Sequence, residues 1–207
     1  MFIHRGLIHP NLKENHISSF KVCIQHQFNI ETDIHFSQNH TPFCHHDYNL
    51  KRLCKIPKPL RTLRDHQLKK YHLTKLSELL TIVTPKTQLL VEIKPRLTPA
   101  TLERLLTTCH GFHKTVRFIS FKEHNLINIR KSTPDFKLGL IFHRHAPVHT
   151  IQQALNQNHI QFLVLPASKL SHSKITQIKK KKYFYTIKKI KKRDAKSNYI
   201  VENLTDF

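Results

Sequence analysis

The chain has 207 residues, and 39% of them are apolar, which is enough for one hydrophobic core and excludes a chain disordered throughout. Lysine and arginine number 35 against 13 aspartates and glutamates, so the formal net charge is +22 and the expected partner is anionic: a nucleic acid, an anionic membrane surface or a small phosphate-bearing substrate. Four cysteines without paired CxxC spacing and the lack of any run of about 18 apolar residues exclude a disulfide scaffold and a transmembrane helix, and predict a cytoplasmic protein.

Short β-branched or aromatic runs alternate with amphipathic stretches of helical length along most of the chain. Eight strands are predicted, at residues 2–4, 28–36, 89–94, 115–120, 137–142, 160–165, 183–187 and 199–202. Six helices are predicted between them, at residues 14–27, 73–83, 99–110, 122–131, 150–156 and 169–180. This alternation is typical of βαβ units on a parallel sheet, and eight strands favour a closed barrel over an open sheet. The sequence therefore predicts an α/β fold, a compact TIM (β/α)8-type barrel that forms one domain over residues 1–207.

Two segments depart from the regular alternation. Residues 48–72 contain Pro57, Pro59 and many basic side chains, which predict a long loop with at most a short helix. Residues 188–198 form a short polar connection to the last strand, and no helix is expected after that strand. Because a TIM barrel usually needs about 250 residues, the C-terminal part of this barrel is expected to be shortened.

Carboxylates are scarce in this chain, so their positions are informative. Glu31 and Asp33 are two residues apart on the second predicted strand and share a face, and Glu92 lies near the end of the third. The carboxyl ends of barrel strands converge at one mouth, where active sites form. Three carboxylates would repel one another there unless a cation lay among them, and a divalent ion bound by oxygen is the simplest choice. Alternatively, Glu31 and Asp33 are surface carboxylates or pair with basic residues.

Titratable and cationic groups fall near the same strand ends. His4 ends the first strand and is followed by Arg5 and a glycine, which offer a base, a guanidinium for phosphate and a flexible turn. Lys94 stands two residues beyond the third carboxylate, and His46 is a second candidate histidine, although a His-Asp pair alone is uninformative in a chain with 18 histidines. Together these groups suit the cleavage of a phosphate ester, in which cations stabilise developing charge while one histidine takes a proton and the other gives one.

An ordered set of motifs in this chain resembles one enzyme family. The motifs are HRG at 4–6, ENHISSF at 14–20, IETDIHF at 30–36, HHDYNLKR at 45–52, LSELL at 76–80, VEIKP at 91–95, FISF at 118–121 and LGLIF at 138–142. In this order they resemble the glycerophosphodiester phosphodiesterases. The resemblance is strong over residues 2–95, fair to about residue 142 and weak afterwards.

The resemblance implies a TIM barrel that hydrolyses glycerophosphodiesters to glycerol 3-phosphate and an alcohol. By this resemblance, the ligands of Mg²⁺ or Ca²⁺ are Glu31, Asp33 and Glu92. The acid/base pair is His4 and His46, and the cations that bind the phosphate are Arg5 and Lys94. By the same analogy, the glycerol hydroxyl of the substrate attacks first and gives a cyclic phosphate, which water then opens. The departures from the family pattern, such as His16 in place of threonine and Tyr185 in place of tryptophan, spare these positions and affect the substrate pocket.

The same sequence is compatible with several other interpretations. A barrel of this kind could serve as a basic binding module, or as a lyase that stops at the cyclic phosphate, as the spider-venom phospholipase D relatives do. Cys44, His45, His46 and Cys54 could form a zinc site, but their spacing is unlike common structural sites. The lysine-rich tract at 179–192 is typical of a solvated face rather than a nucleic-acid site, and basic residues are attracted to anionic membranes by about 1 kcal/mol each.

Overall fold

Eight parallel strands close into a barrel in the computed structural model, which describes residues 1–188, 190–191, 196, 198–202 and 204–205. The barrel strands are β1 (Phe2–His4), β2 (Asn29–Phe36), β4 (Leu89–Ile93), β5 (Val116–Ser120), β6 (Lys137–Ile141), β7 (Phe162–Pro166), β8 (Lys181–Ile187) and β10 (Tyr199–Val201). The sheet closes because β1 pairs with β2 on one side and with β10 on the other. The predicted TIM (β/α)8-type fold is therefore confirmed.

The remaining strands extend or flank the barrel. β3 (Pro42–Cys44) pairs antiparallel with the end of β2, and the two-residue strands β9 (Ile190–Lys191) and β11 (Leu204–Thr205) pair with each other. The sequence analysis missed β3, because its three residues include a proline and no β-branched side chain. The expected polar connection at 188–198 lies in part outside the described residues, as does part of the lysine-rich tract at 179–192.

Helices pack around the outside of the barrel between successive strands. They are α1 (Ile17–Gln25), α2 (Lys51–Cys54), α3 (Asp65–Lys69), α4 (Leu76–Ile82), α5 (Pro99–Thr108), α6 (Glu123–Ser132), α7 (Val148–Gln153) and α8 (Ser173–Thr176), with single 3₁₀ turns at Leu60–Thr62, Ala154–Asn156 and Ala167–Lys169. None of the helices in the described part of the chain combines the length and the apolar character that crossing a bilayer requires.

The prediction of a twelve-residue helix at 169–180 was wrong, because only α8 and a 3₁₀ turn form there. Serine and threonine recur through this segment, and such residues favour turns because their side chains bind nearby backbone groups. The hydroxyl of Thr176, for example, donates to the carbonyl of Ser173 at 2.7 Å. The predicted loop at 48–72 also differs, since it holds α2, α3 and the turn Leu60–Thr62.

This excursion between β3 and α4 has an apolar cluster of its own. Phe43, the central residue of β3, packs with buried leucines from the excursion, namely Leu50, Leu60, Leu63 and Leu68. The short helices form because this cluster buries their apolar sides, since helices of four or five residues are not stable alone. The excursion is thus a small packed unit attached to one edge of the barrel mouth.

Alternation along the strands divides the barrel into two apolar layers. One face of each strand packs against the helices, while the other fills the barrel interior with a cluster of eight buried side chains, Phe2, Leu90, Ile119, Ile141, Phe162, Val164, Tyr183 and Ile200. The rings of Phe2 and Phe162 both meet the ring of Tyr183 edge to face, at centroid distances of 5.4 and 5.2 Å. The floor of the barrel is therefore closed and packed, as in other barrels of this type.

Gly139 makes room for one of these rings, and its replacement should destabilise the barrel. A Cβ atom at this position of β6 would lie 2.1 Å from Cε2 of Phe162. We expect Gly139→Ala to lower the free energy of unfolding by about 1–3 kcal/mol, the usual cost of overpacking a core. Thermal or urea denaturation followed by circular dichroism measures the change. Adding Phe162→Leu should restore part of the loss, and an unchanged midpoint in Gly139→Ala would contradict this packing.

Candidate active site

The carboxyl ends of the barrel strands surround a cavity of about 220 Å³. Each strand contributes the inward-facing residue that lies above the packed floor, as the two-residue repeat of a strand requires. All seven residues singled out in the sequence line this cavity, namely His4, Arg5, Glu31, Asp33, His46, Glu92 and Lys94. The structure thus brings together the whole predicted set.

Three of these residues form a buried carboxylate cluster. Glu31 and Asp33 project from β2 and Glu92 projects from β4, and one oxygen from each lies within 4.8 Å of the others. β2 and β4 are neighbours in register, with Asp33 opposite Glu92. Among the described residues this is the one such group of acidic, histidine or cysteine side chains. Glu31 and Asp33 are therefore not surface carboxylates, but the other part of the alternative interpretation holds for Asp33, which pairs with Arg5 and Lys94.

Burial and mutual repulsion make the charged form of the cluster costly. Burial, and after it the neighbouring Asp33 and Glu92, raises the pKa of Glu31 well above its usual value. Burial and then Asp33 raise the pKa of Glu92 to about 7. Burial alone would also raise the pKa of Asp33, but Lys94 and Arg5 together hold it below its usual value. A further cation among these oxygens would therefore favour the fully ionised form of the cluster.

Two cations approach the cluster from different sides. The Nζ atom of Lys94 lies 2.9 Å from Glu92 and 3.5 Å from Asp33. The backbone amide of Arg5 donates to Glu31 at 3.2 Å, while its Nε atom lies 3.3 Å from Asp33. Both cations face the cavity, where an anion could contact them.

The turn after β1 explains how Arg5 reaches this position. Arg5 itself has a left-handed backbone, with φ of 59°, and Gly6 follows with φ of 76°. A Cβ atom on Gly6 would lie 2.5 Å from the hydroxyl oxygen of Ser19, so only glycine fits against helix α1. The glycine of the HRG motif therefore allows the chain to turn sharply and direct the guanidinium back over the carboxylates.

Asn15, a residue that the sequence analysis did not single out, supports the cluster. Its amide nitrogen donates to Asp33 at 3.1 Å, and its carbonyl oxygen accepts from the hydroxyl of Thr32 at 2.7 Å. The backbone amide of Asn15 in turn donates to the carbonyl of Arg5 at 2.7 Å. This buried side chain orients one oxygen of Asp33, while the other, Oδ1, is buried with no hydrogen-bond partner.

The two candidate histidines come from different parts of the fold. His4 is the last residue of β1, and its Nε2 atom lies 3.9 Å from Glu31. Burial, and then the nearby Arg5, lowers the pKa of His4 to about 4. His46 follows β3 on the excursion, and its Nδ1 atom lies 2.8 Å from the carboxylate of Asp47. If Nδ1 carries the hydrogen of that bond, Nε2 is left as the nitrogen that can exchange a proton in the cavity.

A network of charged side chains connects Arg5 with His46. Arg52 donates to Asp47 through Nε at 2.7 Å and to Glu14 through Nη1 at 2.8 Å and Nη2 at 2.5 Å. Glu14 also accepts from Arg5 at 3.2 Å. Burial tends to raise the pKa of Asp47, but hydrogen bonds from Arg52 and His46 hold it well below its usual value. Asp47 is therefore a carboxylate that fixes the ring of His46.

The sequence contains a signal for this network, namely opposite charges in two of the motifs, which the sequence analysis did not use. Glu14 and Arg52 lie in the quoted motifs ENHISSF and HHDYNLKR, but 38 positions separate them. Opposite charges in two motifs of one site are a reason to test for an ion pair.

The alternative zinc group at Cys44, His45, His46 and Cys54 is not among the clusters that the described residues form, and all four cysteines are free thiols.

Comparisons with known proteins agree with this geometry. Residues 4–199 match the family model described as the Glycerophosphoryl diester phosphodiesterase family. No curated protein matches the chain. Three similar solved structures are a candidate glycerophosphodiester phosphodiesterase from Galdieria sulphuraria, a phosphodiesterase from Oleispira antarctica in complex with the product sn-glycerol-3-phosphate, and a glycerophosphodiester phosphodiesterase from Thermotoga maritima.

The likeness to these structures is one of fold rather than of close sequence. The Galdieria protein is 19% identical, with a TM-score of 0.78, and the Oleispira protein is 18% identical, with a TM-score of 0.75; in both cases the match covers 89% of this chain and 82% of the other. The Thermotoga protein is 22% identical, with a TM-score of 0.70, and the match covers 82% of this chain and 74% of the other. All three share the barrel described above.

Proposed function

The chain belongs to the glycerophosphoryl diester phosphodiesterase family and is a phosphoric diester hydrolase, and from this premise we propose that it hydrolyses glycerophosphodiesters to glycerol 3-phosphate and an alcohol by metal-assisted histidine acid–base catalysis. The observation that carries the proposal is the content of one cavity: three buried carboxylates, two histidines and two cations. A reaction of this kind acts on deacylated phospholipids, which connects the protein with lipid and glycerol metabolism. The cytoplasmic location and the single domain over residues 1–207 stay predictions.

The carboxylate cluster fits a divalent cation such as Mg²⁺ or Ca²⁺. Such ions prefer oxygen ligands, and Glu31, Asp33 and Glu92 offer oxygens within 4.8 Å of one another. The Oδ1 atom of Asp33 is buried and accepts no hydrogen bond, with the Nζ atom of Lys94 3.5 Å away, so this oxygen is available as a ligand of a metal ion. When bound, the ion would supply positive charge to offset the charge that develops on the phosphate oxygens.

The remaining residues of the cavity can position the phosphodiester and move protons. Arg5 and Lys94 would bind the non-bridging phosphate oxygens through charge-assisted hydrogen bonds. One histidine takes the proton of the glycerol hydroxyl as its oxygen bonds to phosphorus, and the other gives a proton to the oxygen of the departing alcohol. The product of this step is a cyclic phosphate. Water then opens it with the same two proton transfers in reverse, which leaves glycerol 3-phosphate.

A direct assay tests the proposal. Purified protein is incubated with glycerophosphocholine and either Mg²⁺ or Ca²⁺, and glycerol 3-phosphate is followed with a coupled dehydrogenase, with an excess of EDTA as the control. We expect metal-dependent release of glycerol 3-phosphate. A cyclic phosphate as the final product, detected by ³¹P NMR, would favour the lyase. Neither product, together with salt-sensitive stoichiometric binding of nucleic acid, would favour the basic binding module.

Arg52 should affect the rate through the orientation of His46. Replacing it with methionine leaves Asp47 and Glu14 without their common partner, so the His46 ring loses a fixed support. We expect kcat to fall by up to about 10²-fold with little change in KM, because a displacement of about 1 Å can cost that much. The kcat of Arg52→Lys should lie between the values of the wild type and Arg52→Met, since one ammonium cannot pair with both carboxylates as a guanidinium does. Lys51→Met is the matched control, and full activity of Arg52→Met would contradict the role.

A further inference from the structure

A second cavity lies beside the catalytic one and has no part in the chemistry described above. Its volume is about 410 Å³. The side chains around it that matter here are His35, His40, Tyr48, Arg61, Arg96 and Thr98. We call it the basic pocket. It lies between the end of β2, the excursion and the segment after β4.

Three chain segments each line the catalytic cavity first and the basic pocket two residues later. Asp33, His46 and Lys94 face the catalytic cavity. The residues two positions further along each segment, His35, Tyr48 and Arg96, face the basic pocket. Along β2, where the backbone is extended, two residues span about 6–7 Å. The basic pocket is therefore the next layer outward along the same segments, within reach of a group several bonds beyond a bound phosphate.

The charge of the basic pocket is positive and uncompensated. No acidic residue is among those that line it, and within the described part of the chain neither Arg61 nor Arg96 pairs with a carboxylate. Of the nearby acids, Asp47 is occupied by Arg52 and His46, and Asp65 accepts from the hydroxyls of Ser37 and Thr41. An anion in this pocket would meet cations that have no other anionic partner.

Tyr48 holds one of these arginines in place without neutralising it. The Nε and Nη2 atoms of Arg61 donate to the Tyr48 hydroxyl at 3.0 and 2.8 Å, and the guanidinium lies 5.7 Å from the centre of the Tyr48 ring. Tyr48 is 56% exposed, which is unusual for a large aromatic side chain. A neutral phenol fixes the guanidinium, so its remaining donors keep the fork geometry that carboxylates and phosphates bind.

We propose that the basic pocket binds an anionic group on the alcohol half of the substrate, so that the protein prefers glycerophosphodiesters whose alcohol carries a carboxylate or a second phosphate. This inference rests on the proposed function. It names the substrate class by the charge of the leaving alcohol, while the catalytic cavity recognises the glycerol phosphate that all substrates share. Choline and ethanolamine head groups, which carry only positive charge, find no acidic partner among the lining residues of this pocket.

Two substrates that differ by one carboxylate isolate this effect. Glycerophosphoserine and glycerophosphoethanolamine are compared by kcat/KM for the wild type, Arg61→Met, Arg96→Met and the double variant. We expect the wild type to prefer the serine substrate by about 10-fold, in line with a partly exposed charge-assisted hydrogen bond. The double variant should lose that preference, with less than about 2-fold change on the ethanolamine substrate. Tyr48→Phe, which keeps both arginines, should lose part of it.

Arg144→Met is the matched control, because Arg144 is exposed after the end of β6 on another side of the same barrel mouth. Loss of the Arg144 charge should affect both substrates alike. If Arg61→Met and Arg144→Met changed the preference for the serine substrate equally, the cause would be long-range attraction alone, and the proposal would be overturned. Equal kcat/KM values for both substrates in the wild type would overturn it too, with the hydrolase activity intact. Failure to hydrolyse either substrate would instead overturn the proposed function, and this inference with it.

Discussion

Replacing His4 or His46 with glutamine should lower kcat for glycerophosphodiester hydrolysis by about 10²–10⁴-fold, the range expected when a general acid or base is removed. Each ring faces the cavity that holds the carboxylate cluster, and glutamine keeps much of the size and polarity of histidine without its titration. KM should change little, because Arg5 and Lys94 remain to bind the phosphate. Steady-state kinetics with a coupled glycerol 3-phosphate assay measures both constants.

The double variant gives a sharper result than either single one. Because the two histidines act in the same step, their losses should not add, and the pair should cost little more than the more severe single replacement. His145→Gln is the matched control, since His145 lies beyond β6 at the same end of the barrel but outside the catalytic cavity. A single histidine variant with full activity would remove that residue from the proposed mechanism.

Binding of Mg²⁺ or Ca²⁺ should stabilise the protein, since a metal ion would relieve the repulsion within the carboxylate cluster. At a metal concentration of about 100 times Kd the gain is about 2.7 kcal/mol. For a chain of this size each kcal/mol raises Tm by about 2–4 °C, so the midpoint should rise by about 5–10 °C relative to protein in EDTA. Differential scanning calorimetry measures this shift without any assay of activity.

Neutralising one carboxylate should remove this response and also stabilise the metal-free protein. Glu31→Gln and Glu92→Gln each replace, within a buried group of three, a carboxyl whose pKa is raised because burial and its neighbours disfavour the charged form. We therefore expect a higher Tm in EDTA and a Tm increase with metal that is much smaller than in the wild type. Glu103→Gln, on the exposed side of α5, should behave as the wild type in both conditions. A wild-type midpoint that does not respond to millimolar Mg²⁺ or Ca²⁺ would contradict the metal site.

The periodicity of the strands was sufficient to predict where the inward-facing residues lie. Glu31 and Asp33 are two apart on one strand, and parallel strands in a barrel end at a common mouth, so their meeting with Glu92 follows from local pattern and fold class. The same reasoning placed His4 and Lys94. His46 could be assigned only through the resemblance, because it lies on no barrel strand and no periodic pattern points to it.

Other features depend on contacts between distant parts of the chain. The pairing of Glu14 with Arg52 requires the excursion to fold back towards the start of α1, and the opposite charges of the two motifs suggest this contact but do not specify it. The excursion was predicted as a loop because its helices are shorter than any periodic signal, and they exist because Phe43 and the leucines bury one another. Local propensity gave no information about such tertiary packing.

The position of the two histidines on separate units has a consequence for how this protein would lose activity. His4 belongs to the barrel, whose strands are held on both sides, whereas His46 belongs to the excursion, which has a small apolar cluster and is joined to the barrel by ion pairs and hydrogen bonds such as those from Ser37 and Thr41 to Asp65. Parts of a protein with fewer buried contacts open with a lower free energy than the whole. Heat inactivation would therefore begin as a local opening that separates the acid from the base, at temperatures where the barrel is still folded.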